Sequence, residues 1–230
     1  MRKTESYKYK LLWLSLFAIT MALVESALVV YLRELYFPDN LHKIFPIRFF
    51  KQLDFCIELC REAATILMLL AVAAISEKRK PMRTFACFLF LFGFWDIFYY
   101  VWLKLFIGWP QGLLEWDILF LIPLAWLGPW ICPVLISSLF ISWGLYILLT
   151  EQKIRFFPQT LILFIIGVAM CLGSFMQPAI TVFWAEGASG FTKYIPYSFW
   201  WWLFIPGFLL MIFALWWTVF LSKKNIRRKR

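Results

Sequence analysis

Residues 84–106 read TFACFLFLFGFWDIFYYVWLKLF, and two features of this stretch decide the fold. From Phe85 to Phe94 every position is apolar, so neither a helical nor a strand period leaves a face that could meet water. The whole stretch 84–106 is also long enough for a hydrocarbon core of about 30 Å, which takes about 20 helical residues to cross. A spanning β-strand would instead alternate apolar and polar residues over about ten positions, and no such alternation is present. Two charged residues break the pattern, Lys104 near its end and Asp96 well within it, and Asp96 becomes the first clue to function.

The rest of the chain has the same character. Of 230 residues, 63% are hydrophobic and 21% aromatic, and the mean hydropathy is +0.77, more apolar surface than a water-soluble core of this size can bury. The reading is therefore an all-α, polytopic membrane bundle forming a single transmembrane domain over residues 1–230. Six spans are expected: 11–31, 54–76, 84–106, a broken region 117–149, 158–181 and 198–221. An outer interfacial loop at 32–53 and a basic tail at 222–230 complete it.

The first span follows Arg2, Lys3, Lys8 and Lys10 in the manner of a signal peptide, but its apolar stretch is too long. Glu25 and then Tyr31-Leu32-Arg33 stand where small residues would mark cleavage. The fourth region is too long for one straight crossing and carries Pro123, Gly128, Pro129 and Pro133. A broken or re-entrant segment should lead into a full helix from about Pro133. Such breaks survive at membrane depth only where protein or water satisfies the backbone, so this one reads either as a cavity wall or as a bent interfacial helix.

Orientation follows from the basic residues, which cytoplasmic loops concentrate. With the N-terminus inside, the inner segments hold sixteen Lys and Arg, among them Lys78 to Arg83 and the run from Lys223 onward. The outer segments hold six: Arg33, Lys43, Arg48, Lys51, Lys104 and Lys193. Both ends therefore read as cytoplasmic, in a cell inner (plasma) membrane. Trp200 to Trp202 and Trp216-Trp217 place aromatic anchors about 24 Å apart on the last helix, by the 1.5 Å rise per residue. The net charge of +10 is explained by these termini and loops, with no need for nucleic acid. Cys56, Cys60, Cys87, Cys132 and Cys171 show no paired ligand spacing and the chain has one histidine, so no haem, zinc or nucleotide signature is present. That histidine, His42, sits among Pro38, Lys43, Pro46 and Arg48 and reads as a surface residue.

Charged residues inside spans are costly, roughly 2.5 to 3.5 kcal/mol each on insertion scales, and so mark an interior site. Glu25, Glu58, Arg61, Glu62 and Asp96 are such residues, with Asp117 at the mouth of the broken region. By helical rise Glu58 lies about 6 Å from the outer end of its span, Glu25 about 9 Å, Glu62 about 12 Å and Asp96 about 15 Å. Glu58 and Glu62 are one turn apart with Arg61 beside them, so Arg61 can pair with Glu58, Glu25 or Asp96. One arginine cannot neutralise them all, and the surplus carboxylates must be protonated, hydrated or bound to a cation. Tyr99 and Tyr100 add phenolic hydroxyls beside Asp96, and Gln177 falls at a comparable depth. Glu25, Glu62 and Asp96 are the candidate chemical groups. Arg61, Glu58, Tyr99, Tyr100, Asp117 and Gln177 are candidate binding groups, and a divalent cation on Glu25, Glu62 and Asp96 is compatible with the set. A buried network that only fixes helix packing is the competing account.

Several strings carry a resemblance: Glu25 followed by Val29-Val30-Tyr31-Leu32-Arg33, Arg61-Glu62-Ala63-Ala64-Thr65, Trp95-Asp96 with Tyr99-Tyr100, Gly108-Trp109-Pro110, and Trp116-Asp117 leading to Leu119-Phe120-Leu121-Ile122-Pro123. Over about the first 135 residues the chain resembles a family of small, uncharacterised bacterial multi-pass membrane proteins. That resemblance implies a bacterial membrane origin and no activity. From the residues themselves, the leading expectation is a membrane-embedded enzyme using carboxylates as general acids or bases on a lipid-like or isoprenoid substrate. A proton or cation pathway is the first alternative, although the inner halves of the spans read as dry. A subunit or assembly factor with membrane-protein partners is the second.

Overall fold

The computed structural model describes residues 2–46, 52–78, 80–150 and 154–228. It is an all-α bundle: α1 Arg2–Tyr36, α2 Gln52–Ser76, α3 Pro81–Ile107, α4 Ile131–Leu149, α5 Pro158–Glu186 and α6 Trp201–Arg228, with a short 3₁₀ turn at Gly187–Thr192. All six helices contain a segment long and apolar enough to cross a membrane. The broken region resolves into two parts. A hairpin of β1 Trp116–Phe120 and β2 Trp126–Pro129 comes first, and α4 follows immediately.

Apolar helices gain nothing by leaving lipid for one another, so close packing must hold them together. Glycines permit it. A Cβ on Gly93 of α3 would lie 2.6 Å from the Ser137 carbonyl oxygen of α4, and one on Gly144 of α4 would lie 2.7 Å from the Ala86 carbonyl oxygen of α3. Gly167 of α5 meets the Gly207 carbonyl oxygen of α6 in the same way, at 2.7 Å. Indole N–H groups add polar ties: Trp102 donates to the Ile19 carbonyl at 3.0 Å and Trp143 to the Leu215 carbonyl at 3.0 Å. Both α1 and α2 lean on α3 more than on each other, which leaves room between them at one end.

Two expected boundaries move. The first helix runs past residue 31 to Tyr36 and so includes Arg33, which the sequence had put in the outer loop. The remainder of that loop includes residues 47–51, which lie outside the described residues. The basic tail is not a separate segment, because α6 continues to Arg228; residues 229–230 are likewise outside the description.

The hairpin pairs Trp116 with Pro129, Asp117 with Gly128, Ile118 with Leu127 and Phe120 with Trp126, with a register irregularity between Ile118 and Phe120. Pairing satisfies most of its backbone internally, as apolar surroundings require. The connection from α3 is tied down as well. Gly108 adopts a positive φ of 72° and caps α3 by donating to the Lys104 carbonyl at 3.1 Å. Lys104 donates to the Pro110 carbonyl at 2.8 Å, and the Glu115 carboxylate accepts the Gln111 and Gly112 N–H groups at 2.9 and 2.7 Å. His42 is part of this scaffold and not a free surface group, since its Nε2 lies 2.7 Å from the Ile107 carbonyl and its Nδ1 2.8 Å from the Gln111 amide.

At the opposite end Glu77, immediately after α2, is buried and joins three helices. It accepts from Tyr7 and from Lys10 of α1 and, at 2.8 Å, from Arg83 of α3. Arg83 also donates to the Ile147, Leu148 and Thr150 carbonyls at 3.2, 2.8 and 3.1 Å, satisfying the last carbonyls of α4.

Candidate functional site

Where α1 and α3 end and α2 begins, a cavity of about 140 Å³ opens among the three helices and β1. Helical spacing brings its wall together: Glu25, Val29, Leu32, Arg33 and Tyr36 are one face of α1, while Glu58, Arg61 and Glu62 are one face of α2. Trp95, Asp96, Tyr99 and Tyr100 come from α3, and Asp117 to Leu121 from β1 and its turn. The volume accommodates several waters or a small head group.

Five carboxylates and two guanidinium groups thus line one space. Arg61 is the centre of one subset: it donates from Nε to Glu58 at 3.0 Å, from Nη2 to the other Glu58 oxygen and from Nη1 to Glu25. Thr65 stands 3.4 Å from the second Glu25 oxygen. Glu62, one turn from Glu58, takes a different partner, since both of its oxygens accept the Leu121 N–H, at 3.0 and 2.9 Å. That bond satisfies a hairpin donor lying beyond the last paired residue of β1. Asp96 accepts the Ser137 hydroxyl of α4 at 2.8 Å. Neither Glu62 nor Asp96 has an ion-pair partner among the described residues.

Asp117 completes the set. Its Oδ1 lies 3.6 Å from Arg33 Nη2 and accepts the Ile118 N–H at 3.0 Å, while Oδ2 is buried and accepts no hydrogen bond of ordinary geometry, the Tyr100 hydroxyl facing the carboxylate. The residue is 3% exposed. Arg33 also stacks on Trp109 at 4.2 Å and reaches the Leu41 carbonyl at 3.4 Å. The Trp95 indole N–H lines the cavity without an acceptor.

Of the candidate residues, Glu25, Glu58, Arg61, Glu62, Asp96, Tyr99, Tyr100 and Asp117 all border this cavity. Gln177 does not. Its amide donates to Thr181 on the next turn of α5, at 2.8 Å, and neither α5 nor α6 contributes to the lining. Depth along a helix says nothing about which face a residue occupies, and that is why Gln177 was misplaced.

The residue that sequence reasoning missed is Arg33, a second cation in the site. A signal existed, because Glu25, Val29 and Arg33 are spaced by four on a helix that had to continue. No group of three or more His, Cys, Asp or Glu side chains among the described residues is placed to hold a metal ion, so a shared cation on Glu25, Glu62 and Asp96 gains no support from the geometry.

Between the cavity and the Glu77 cluster lies an apolar layer. Ala18 and Ala22 of α1, Leu69 and Ala73 of α2, and Ala86, Leu89 and Leu91 of α3 are all buried there. Comparison of the chain with protein-family models, with curated proteins and with solved structures finds no match in any of the three.

Proposed function

We propose that the chain is a membrane-embedded enzyme whose cavity carboxylates exchange protons with a lipid-like substrate. The observation that carries this reading is the convergence of Glu25, Glu62 and Asp96 on one cavity whose remaining wall is largely aromatic and aliphatic. Glu62 and Asp96 are the proton-exchanging groups. Each is oriented by neutral hydrogen-bond donors, backbone N–H including that of Leu121 for Glu62 and Ser137 Oγ for Asp96, and neither forms an ion pair with an arginine among the described residues. Glu25, held by Arg61 together with Glu58, sets the electrostatics and the shape of the wall. Positioned acid or base groups of this kind contribute roughly 10²- to 10⁴-fold to a rate.

The apolar layer beneath the cavity favours an enzyme over a proton or cation pathway. A pathway needs polar groups or water from face to face, and here buried alanine and leucine intervene. We further propose a bacterial plasma membrane with both termini cytoplasmic, which puts the cavity in the outer half. The excess of Lys and Arg in the inner segments supports that orientation, and the resemblance to bacterial multi-pass proteins supports the source.

The test is conversion of a total bacterial lipid extract by the purified full-length chain, followed by mass spectrometry of species lost and gained. Glu62→Gln and Asp96→Asn should each slow conversion at least a hundredfold while the protein elutes as the same folded species. No conversion by the wild type, or an unchanged rate in both variants, overturns the reading.

A further inference from the structure

We infer that the group admitted to the cavity is an alkylammonium, a positively charged head on an apolar chain. The inference rests on the enzyme reading for the fate of that group, but its binding is argued from the cavity alone. With five carboxylates against two guanidinium groups, the lining carries a formal excess of three negative charges when all are ionised. Neither arginine is free to receive an anion. Arg61 commits three nitrogens to Glu25 and Glu58, and Arg33 is held between Asp117, the Leu41 carbonyl and the face of Trp109. A phosphate or sulfate head would have to displace a carboxylate and then remain beside it, like charge against like.

The acceptors, in contrast, are open. Asp117 Oδ2 is a buried oxygen that accepts no hydrogen bond of ordinary geometry, with the Tyr100 hydroxyl the neutral group facing its carboxylate, and Glu62 has backbone N–H for a partner where an ion pair could form. An ammonium group has three N–H donors and no acceptor, which matches that inventory. Tyr99 and Tyr100, set edge to face with centroids 5.0 Å apart, and Trp95 add ring surfaces that attract a cation. Val29, Ile118 and Phe120 give the attached chain apolar wall to lie on.

The head group could come from a membrane lipid or from a water-soluble amine, and chain length separates the two. Titration calorimetry on the full-length protein in nonionic detergent, against empty micelles, compares dodecylammonium, dodecanol, dodecyl phosphate and butylammonium. Dodecylammonium should bind at least tenfold more tightly than dodecanol, and dodecyl phosphate no more tightly than dodecanol. Asp117→Asn and Glu62→Gln should each remove most of the ammonium advantage while leaving dodecanol unchanged, and Glu186→Gln, at the exposed end of α5, should leave the ranking intact. Butylammonium binding within threefold of dodecylammonium supports the ammonium site and identifies a water-soluble source; much weaker binding supports it and identifies a lipid.

An ammonium that binds no better than the alcohol, or a phosphate that binds best, overturns the inference. Should a variant fail to fold, the wild-type ranking decides alone. Ammonium selectivity with undiminished turnover in both Glu62→Gln and Asp96→Asn sinks the enzyme reading and leaves this one standing, whereas turnover without selectivity does the reverse.

Discussion

Arg61 shows how one side chain holds the cavity open. It lies on α2, shares its guanidinium between Glu58 on the same helix and Glu25 on α1, and so fastens together two helices that otherwise lean on α3. Removing one partner from a buried ion pair strands the other, at a cost of about 3 to 5 kcal/mol. Arg61→Met should therefore lower the unfolding midpoint of the purified protein by several degrees. Adding Glu25→Gln and Glu58→Gln should recover much of that loss, because the stranded charges are gone. If the triple variant melts no higher than Arg61→Met, the pairing is not what Arg61 contributes. At this scale the sequence was informative about residue type and less so about partner. The Arg61 pairing to Glu58 and Glu25 was among the arrangements that helical spacing allowed, whereas Arg33 was hidden because a basic residue at the end of an apolar run resembles the start of a loop.

At the scale of elements, the two ends of the bundle use charge differently. The cavity end collects carboxylates in excess of cations, but at the other end Glu77 is outnumbered by Lys10 and Arg83. Burial alone would raise the Glu77 carboxyl, yet hydrogen bonds from Lys10, Tyr7 and Arg83 outweigh it and hold the group below its usual range. A depressed folded-state value stabilises the protein fully above the unfolded carboxylate value of about 4.3, and the gain disappears as pH falls through the lower folded value. Glu77→Gln should thus cost roughly 3 kcal/mol at pH 7. The difference in melting temperature between wild type and variant should shrink as pH drops below about 4. A constant difference from pH 7 to pH 3 would show that Glu77 acts through packing and not through its charge. This clamp was not legible beforehand, because Glu77 and its neighbours look like an ordinary charged turn. The hairpin was hidden for a related reason: apart from Asp117, Trp116 to Ile122 is apolar without alternation, and its strand character comes from pairing with Trp126 to Pro129, which no local pattern announces.

For the whole molecule, six crossings were legible because each apolar run exceeds what a soluble helix needs, and lipid imposes that length on any sequence. Contacts between helices were not, since apolar helices carry no polar stripe to say which face turns inward. Orientation remains the property on which the functional reading depends, for it decides which compartment the cavity faces. The topology is internally constrained: the cavity, the 3₁₀ turn at Gly187–Thr192 and the start of α6 share one end, while Lys224 near the end of α6 belongs to the other. In a background with the exposed Cys56 and Cys60 changed to alanine, Ser189→Cys should react with a membrane-impermeant maleimide on intact cells. Lys224→Cys should react only after permeabilisation. The opposite pattern would place the carboxylates toward the cytoplasm, against the bias of sixteen inner basic residues, and would require a substrate that reaches the cavity from the cytoplasmic leaflet.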